Sequence, residues 1–383
     1  MTKDVLQLMD DWGPERVVCV SDPRTGMRGV LVIDNTSRGM GKGGTRMSTS
    51  ITVGEVARLA RVMTWKWAAV DLFFGGAKAG IMADPQAKNR EAVIRSWARA
   101  LAKEIPSDYA LGLDMGLTER DAAVVQDELG DRGAAVGSPA ELGGIPYDQI
   151  GVAGFGAAEG AAAAAEVIGL GTKGARVVIQ GFGALGAAAA RRFGELGATV
   201  VAVSTEKGVV HDPDGLDVAA LLAAREEIGD SFVLEHAKRA NMPLGTELLI
   251  SADVVVPAAV QDVIDADLAA KLDAKLLVEG ANLPTDAAAQ RVLKERGIPV
   301  VPDFIANAGG VIAAAFAMEA RYSAFRPEIP PVMAEISSRI RANTALVLEE
   351  ATRNDCTSHE SALQLAQSRV RAAMELKGRW NPQ

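Results

Sequence analysis

One segment of the chain has the glycine spacing of a turn that holds a dinucleotide. Residues 177–186 read VVIQGFGALG, which predicts a strand, then G-x-G-x-x-G, then a helix. Gly181 permits the tight turn, Gly183 lets a pyrophosphate approach the backbone, and Gly186 lets the helix lie close to its strand. The spacing alone also fits an ordinary glycine-rich turn, but here the strand, the helix and a second strand follow in order. We predict dinucleotide binding by the turn residues Gly181, Phe182, Gly183, Ala184, Leu185 and Gly186.

The end of the second strand bears on which dinucleotide binds. An acid that holds the adenosine ribose is expected there, but Thr205 occupies its position in the run Ser204-Thr205-Glu206-Lys207. Glu206 is able to take the ribose, which favours NAD. Ser204, Thr205 and Lys207 are able to accept a 2′-phosphate, which favours NADP. The sequence leaves the choice between NAD and NADP open.

Two lysines and an aspartate are the candidates for proton chemistry. Lys78 lies within the glycine-rich stretch of residues 74–80, Lys66 precedes it, and Asp114 follows. A lysine acts as a general base only if a second cation and partial desolvation destabilise its ammonium form. A carboxylate can accept and return a proton. Single lysines are usually solvated, and Asp114 could equally be a turn residue, so the residues alone leave these roles open.

The elements of the first third must position these side chains. Residues 52–55 read TVGE, a capping-box pattern that opens a helix. Apolar residues then recur at three- and four-residue spacing through Trp67, so the helix presents Lys66 near its end. Further strands are predicted at residues 16–20 and 29–34, and further helices through Trp97 and Leu101 and from Thr118 to about Gly130.

After about Gly137 the sequence alternates between glycine- and alanine-rich helical segments and short valine-rich runs. This βα alternation predicts a mostly parallel sheet. The pattern turns helical after Asn307 and remains so to the end. We therefore expect two domains, residues 1–137 and 138–324, with the C-terminal helices of residues 325–383 packing back on the first. The predicted strands of the second domain are residues 175–180, 198–204, 253–256, 276–279 and 298–301.

Composition and charge exclude several classes of protein. A chain of 383 residues suits two domains, and a formal charge of −9 without a basic stripe argues against a nucleic acid partner. Two distant cysteines and three scattered histidines favour neither a disulfide framework nor a catalytic metal. The N-terminus does not resemble a secretory signal, and no apolar run reaches the roughly 18 residues of a membrane helix. We expect a cytoplasmic protein with no membrane partner.

Six stretches, in order along the chain, resemble the glutamate, leucine, phenylalanine and valine dehydrogenase family. The resemblance implies an NAD(P)-dependent enzyme that oxidatively deaminates an L-amino acid to its 2-oxo acid and ammonia. It also implies an α/β fold with an N-terminal substrate and oligomerisation domain and a Rossmann-like dinucleotide-binding domain, assembled as a homo-oligomer, a hexamer or an octamer. The stretches are KGGTR at 42–46, TWK at 64–66, GGAK at 75–78, LDMG at 113–116, EGANLP at 279–284 and PDFIANAGGV at 302–311.

The resemblance also assigns roles to individual residues. It implies that Lys66 binds the substrate α-carboxylate, that Lys78 is the catalytic lysine, and that Asp114 shuttles protons. Further substrate contacts are implied at Gly75, Gly76, Val311 and Ala314, and further cofactor contacts at Ala258, Asn282 and Asn307.

Residues near these motifs point to two classes of amino acid. Lys42 stands where glutamate-type enzymes carry a lysine for the distal carboxylate, so the chain is closer to glutamate dehydrogenase. Ala314 and Ala153 replace a serine and a threonine of those enzymes, and Trp67 replaces a small polar residue. A buried carboxylate would therefore lose charged hydrogen bonds worth about 1.5–3 kcal/mol each. An apolar amino acid substrate and a non-catalytic regulatory family member remain alternatives, as does a dehydrogenase that shares only the cofactor domain.

Overall fold

The first domain is built on a five-stranded sheet in the order β1-β2-β4-β3-β5. β1 pairs antiparallel with β2 and β2 with β4, whereas β3 runs parallel to both β4 and β5. The strands predicted at residues 16–20 and 29–34 are confirmed, while three glycine-containing strands were not predicted. The bounds are β1 (Arg16–Asp22), β2 (Met27–Asn35), β3 (Gly41–Met47), β4 (Gly75–Ile81) and β5 (Tyr109–Leu113).

Helices cover both faces of this sheet. Leu31 and Ile33 of β2 pack with Trp97 in one core, whereas Val32 packs with Val56 on the opposite face. This split follows from the two-residue repeat of a strand. The first helix begins as predicted, because the Thr52 side chain accepts a hydrogen bond from the Glu55 N–H at 3.2 Å. The bounds are α1 (Val53–Ala69), α2 (Arg90–Ala100) and α3 (Glu119–Leu129).

The second domain contains a six-stranded sheet in the order β11-β10-β9-β6-β7-β8. All pairings are parallel except that of β7 with β8, so the predicted parallel sheet is confirmed. The chain builds outward from β6 in one direction and then from β9 in the other. The strand order therefore reverses between β6 and β9, where α/β proteins bind ligands. The bounds are β6 (Arg176–Gln180), β7 (Thr199–Thr205), β8 (Gly208–His211), β9 (Ala252–Pro257), β10 (Ala274–Val278) and β11 (Val300–Val301).

Small residues let the helices of the second domain pack closely. A β-carbon at Gly154 would lie 2.1 Å from the Leu185 carbonyl oxygen, so the backbones of two helices meet there. The alanine- and glycine-rich composition of this region is thus a packing requirement. The bounds are α4 (Tyr147–Ile150), α5 (Val152–Val167), α6 (Ala184–Glu195), α7 (Val218–Ile228), α8 (Phe232–His236), α9 (Ala266–Lys271), α10 (Ala287–Glu295) and α11 (Asp303–Ala306).

The C-terminal helices do not all pack on the first domain, as we expected for residues 325–383, but are divided between the two domains. Three helices follow, α12 (Gly309–Ala320), α13 (Ile329–Arg353) and α14 (Ser358–Leu376). Arg369 donates to the Ala68 and Ala69 carbonyls at the end of α1, at 2.9 Å each, so this end of the chain joins the first domain. In contrast, Ser337 of α13 donates to Glu159 of α5 at 2.7 Å, which ties α13 to the second domain.

The computed structural model describes residues 5–236 and 242–380 and comprises two compact units. Within the described part, one helical stretch, Asp303–Ala320, has the length and apolar character of a membrane span, but 61% of it is buried inside the protein. Its apolar side chains therefore form a core rather than indicating a membrane. The first unit comprises Met1–Pro146, Ala313–Ile329 and Leu365–Gln383, and the second comprises Tyr147–Ile312 and Pro330–Gln364.

Candidate active site

Lys42 of β3 lies in the interior of the first domain. Its side chain is 2% exposed, and Nζ donates a hydrogen bond to the Ala110 carbonyl at 3.2 Å. A β-carbon at Gly112 would lie 2.7 Å from this Nζ, so the glycine leaves space for the ammonium group. The indole N–H of Trp67 donates to the Lys42 carbonyl at 3.0 Å. Trp67, at the position where the resemblance implies a small polar residue, therefore fixes the backbone from which Lys42 extends.

The electrostatic surroundings of Lys42 favour an anion. Burial, followed by the positive charges of Lys78 and Arg321, lowers the pKa of Lys42 to about 7. An anion bound beside Lys42 would offset both effects, because it would compensate the lost hydration and screen the neighbouring cations. The site is thus arranged to gain from a negatively charged group at this position.

Lys78 and Asp114 meet directly. Lys78 lies on β4 and is 8% exposed, and its Nζ forms an ion pair with Oδ2 of Asp114, which directly follows β5. A β-carbon at Gly44 would lie 3.2 Å from Lys78 Nζ and 2.9 Å from Asp114 Cβ. The pair therefore lies over a glycine of the intervening strand, β3. A second cation, Arg46, approaches Asp114 to 3.6 Å.

Asp114 is held in its ionised form. Burial raises its pKa, but the charge and hydrogen bond of Lys78 and the N–H of Met115 lower it, and the net shift is downward. The Met115 N–H donates to Oδ1 at 2.6 Å. A carboxylate that is ionised and in contact with a lysine can exchange a proton with it.

The glycines before Lys78 allow α1 to cross β4 at close range. A β-carbon at Gly76 would lie 2.0 Å from Thr64 Oγ1, and one at Gly75 would lie 2.3 Å from the Asn35 carbonyl oxygen. Glycine is therefore required at both positions by the protein's own packing. This packing also fixes Lys66, which lies half-buried in the last turn of α1, relative to β4.

Arg321 is a candidate site residue that none of the sequence motifs predicted. It follows α12, seven residues after Ala314, and so lies near the same face of that helix. Nη1 donates to the Met318 carbonyl at 3.2 Å, while Nε is buried and has no hydrogen-bond partner among the described residues. Met318 packs in a cluster with Ala110, whose carbonyl accepts from Lys42. The helical spacing from Ala314 is the signal that could have identified Arg321.

The glycines of the dinucleotide turn have the predicted geometry. Gly181 has φ +90°, which favours glycine. A β-carbon at Gly186 would lie 1.9 Å from the Gly181 carbonyl oxygen, so this glycine allows α6 to approach β6. In contrast, a β-carbon at Gly183, the N-cap of α6, would meet no atom within 4 Å. The turn therefore fits a pyrophosphate, which would take the open space beside Gly183 and the first N–H groups of the helix.

The side chain of Ser204, on β7, forms a hydrogen bond with the first glycine of this turn. Its hydroxyl accepts from the Gly181 N–H at 3.0 Å and donates to Glu247 at 2.9 Å, and both side chains are buried. The Ser204 hydroxyl is therefore engaged within the protein, although from its place in the sequence we expected it to be able to accept a 2′-phosphate. Glu247 was not predicted, because its partner lies far away in the sequence.

The remaining residues after β7 differ in exposure. Thr205 donates to the Asp230 carbonyl at 3.2 Å and is buried. Glu206 and Lys207 form an exposed ion pair at 3.3 Å, with side chains 73% and 49% exposed. Their charged groups face solvent, so these two residues are the ones available to the adenosine ribose or its phosphate.

Two asparagines come together near the end of β10. Asn307 donates from Nδ2 to the Gly280 carbonyl at 3.1 Å and to Asn282 Oδ1 at 2.9 Å. A β-carbon at Gly280 would lie 3.2 Å from that of Ala258, so Ala258 borders the same turn. Val311 is 9% exposed and Ala314 is partly buried. Three of the predicted cofactor residues, Ala258, Asn282 and Asn307, therefore surround one turn.

Family models match both domains of the chain. The model described as "Glu/Leu/Phe/Val dehydrogenase, dimerisation domain" matches residues 14–130, and the model described as "Glutamate/Leucine/Phenylalanine/Valine dehydrogenase" matches residues 143–378. The chain belongs to the glutamate/leucine/phenylalanine/valine dehydrogenase family. The resemblance inferred from the six motifs is thereby confirmed, and the protein is an amino acid dehydrogenase that uses NAD or NADP.

Similar proteins include curated relatives and a solved structure. Glutamate dehydrogenase A2 of Halobacterium salinarum is 34% identical and aligns over 95% of this chain and 91% of its own length. The NADP-specific glutamate dehydrogenase of Saccharolobus shibatae is 37% identical over 78% of this chain and 74% of its own. The hetero-hexameric glutamate dehydrogenase of Thermus thermophilus, with leucine bound, is 32% identical with a TM-score of 0.83, covering 98% and 93% of the two chains. The predicted two-domain α/β fold is thus confirmed for this dehydrogenase.

Proposed function

We propose that this dehydrogenase oxidatively deaminates L-glutamate to 2-oxoglutarate and ammonia. The observation that carries the proposal is the buried ammonium of Lys42, which is 2% exposed and has a pKa lowered to about 7. An apolar side chain would leave this ammonium without compensation, whereas a distal carboxylate would pair with it. The cation of Arg321 adds to the same preference. The glutamate dehydrogenases among its relatives support this choice of substrate.

The rest of the substrate would be held and converted by the neighbouring lysines. Lys66 would bind the α-carboxylate. The bound nicotinamide would supply the hydride acceptor. Oxidation of the amine gives an iminium ion, and Lys78 would take a proton from the water that attacks it. The direct contact of Lys78 with ionised Asp114 supports a proton relay, because Asp114 can receive that proton and pass it to the departing ammonia.

The cofactor would lie along the turn after β6. Its pyrophosphate would occupy the open space at Gly183, with Asn282 and Asn307 at the nicotinamide half. Glu206 favours NAD through the ribose hydroxyls and Lys207 favours NADP through a phosphate. These two exposed residues are the ones whose exchange would change the preference.

A panel of amino acids tests the proposed substrate. The purified enzyme is assayed spectrophotometrically near pH 7, where part of Lys42 is still charged, with twenty amino acids and with NAD and NADP separately. We expect kcat/KM for glutamate to exceed that for leucine, valine and phenylalanine by on the order of a hundredfold, the value of one charged pair. Equal or higher values for the apolar amino acids would contradict the proposal. Cofactor binding without turnover of any amino acid would favour the non-catalytic alternative.

An apolar amino acid is the second candidate substrate. Ala314 and Ala153 offer no hydrogen bond where a serine and a threonine would serve a carboxylate. An aliphatic side chain would need no such partners. The panel separates the two candidates, because a leucine-type enzyme would favour leucine or valine over glutamate.

We also propose that the chain forms a homo-oligomer in the cytoplasm, a hexamer by resemblance to the family. The family model that matches residues 14–130 is described as a dimerisation domain, and β1 lies at an edge of its sheet. Analytical ultracentrifugation should give a mass several times 40.0 kDa. A single species with the mass of one chain would contradict the assembly, and recovery of the native protein in a membrane fraction would contradict the location.

A further inference from the structure

We propose that His359 is a positioning residue for the nicotinamide half of the cofactor site, and that it acts through Glu279 on the turn that carries Asn282. All three residues belong to the second domain. His359 is the second residue of α14, and Glu279 directly follows β10. The inference rests on the cofactor role proposed above for Asn282 and Asn307.

A continuous set of hydrogen bonds connects His359 to this turn. Nε2 of His359 lies 2.7 Å from Oε2 of Glu279, and the same oxygen accepts from the Asp303 N–H at 3.0 Å. Oδ2 of Asp303 in turn accepts from the Leu283 N–H at 2.9 Å. Leu283 has φ +49°, a conformation that a leucine adopts only when its surroundings hold it there. The network therefore supports a turn that would otherwise relax.

The same network fixes the second asparagine. Asp303 begins α11, and Asn307 is the residue that ends it. Asn307 then returns to the turn, because its Nδ2 donates to Gly280 and to Asn282. Glu279 thus holds α11 at one end through Asp303, while Asn307 holds the turn at the other. A displacement of Glu279 would move both asparagines together.

Glu279 needs a partner of opposite charge. It is 0% exposed, and its Oε1 has no hydrogen-bond partner among the described residues. A buried carboxylate is costly unless it is paired, and the imidazole of His359 is the ionisable group that contacts it. Oε2 of Glu279 and Oδ2 of Asp303 are engaged in hydrogen bonds, whereas Nδ1 of His359, like Oε1 of Glu279, has no hydrogen-bond partner among the described residues.

The charges around His359 make the effect depend on pH. Burial lowers its pKa, but the charge and hydrogen bond of Glu279, followed by Asp303 and Glu360, raise it, and the net pKa lies above 6.5. Lys294 and Asp355 form an ion pair in the adjoining cavity, which Cys356 also lines. Below its pKa, His359 is an imidazolium that pairs with Glu279. As the pH rises through the pKa, the pair loses one charge and the turn loses support.

The test compares two substitutions of His359 in the full-length enzyme. His359→Ala removes the partner of Glu279, whereas His359→Gln keeps an N–H donor without a charge. His211→Gln is the matched control, since His211 lies on β8 at the far edge of the same sheet. Binding of NADH and NADPH is measured by fluorescence titration between pH 6 and pH 9, and KM is then measured for cofactor and amino acid. Thermal melting confirms that each variant is folded.

We expect His359→Ala to weaken binding of the preferred reduced cofactor by on the order of tenfold, with a smaller change in the KM of the amino acid. His359→Gln should recover most of this affinity, and the weakening of binding with rising pH seen in the parent should be absent. The inference would be overturned if both His359 variants bound the cofactor with the same affinity and the same pH dependence as the parent and His211→Gln. A uniform rise of both KM values would assign His359 a general structural role and overturn it as well. A parent enzyme that binds neither cofactor would instead count against the proposed function.

Discussion

The two domains of this dehydrogenase differ in how their candidate site residues are arranged. In the first, the proposed chemistry would be carried by charged side chains that are withdrawn from water, with Lys42 2% and Lys78 8% exposed. In the second, the turn after β6 would bind the cofactor with backbone groups and open space, as at Gly183. Function in the first domain would thus depend on the position of buried charges. Cofactor binding in the second would depend on the space left beside the turn.

This difference predicts opposite responses to substitution. Removing the charge of Lys42 should leave the fold intact, because burial of its ammonium is itself costly. Removing Lys78 should lower the melting temperature, because Asp114 then loses its ion-pair partner. Adding a single methyl group to a glycine of the second domain should lower stability where the methyl group would collide with protein atoms. It should weaken cofactor binding where the methyl group would enter open space.

Lys78→Ala should reduce kcat by on the order of 10³-fold or more, since it removes the group that takes a proton from water and leaves Asp114 without its partner. Cofactor binding, measured by fluorescence titration, should persist. Lys88→Ala, at an exposed lysine of the same domain, is the control and should retain full activity. Substantial turnover by purified Lys78→Ala would refute the assigned role.

Lys42→Leu should raise the KM for glutamate by on the order of a hundredfold, because the distal carboxylate loses a charged hydrogen bond. Activity on leucine or valine, if measurable, should be unchanged or improved. Lys103→Leu, at an exposed position, controls for the loss of positive charge. A KM for glutamate that does not change would place the distal carboxylate elsewhere.

Gly183→Ala and Gly186→Ala should distinguish a glycine that leaves room for the cofactor from a glycine that is required by packing within the protein. Gly183→Ala should keep the melting temperature and weaken cofactor binding by on the order of tenfold, since its methyl group enters only the open space for the pyrophosphate. Gly186→Ala should lower the melting temperature, because its methyl group would lie 1.9 Å from the Gly181 carbonyl oxygen. Equal melting temperatures, or unchanged cofactor binding in Gly183→Ala, would contradict the comparison.

The pH dependence of inhibitor binding should report the protonation of Lys42. In the free enzyme its pKa is about 7, so above this pH the amine must take up a proton to pair with a carboxylate. The inhibition constant of glutarate should therefore rise about tenfold for each pH unit above 7, until the pKa of the complex is reached. The Lys42→Leu variant should lack this dependence. An inhibition constant of the parent enzyme that does not change between pH 7 and pH 9 would show that the Lys42 amine stays charged.

The sequence predicted the elements that have strong local patterns. Helix α1 shows its apolar repeat and its cap, and the turn after β6 is recognisable because the roles of its three glycines are local. Strands β3 and β4 were missed, because glycine has a low β-propensity and pairing with distant strands stabilises them instead. The glycine-rich runs of these two motifs therefore give no strand signal.

The residues missed at the site share one cause. Arg321 reaches the surroundings of Lys42 from a segment near the end of the chain, and Glu247 reaches Ser204 across more than forty residues. Only the fold brings such partners together. The division of the C-terminal helices was unpredictable for the same reason, since Glu159 rather than any local pattern holds α13 to the second domain.

The bare backbone of β5 beneath Lys42 has a consequence for which diacids the enzyme accepts. A methyl group at Gly112 would lie 2.7 Å from the ammonium nitrogen of Lys42 and would displace it. Because Lys42 is the proposed partner of the distal carboxylate, we expect Gly112→Ala to change the relative KM values of four-carbon and five-carbon acidic amino acids, although no loop is altered.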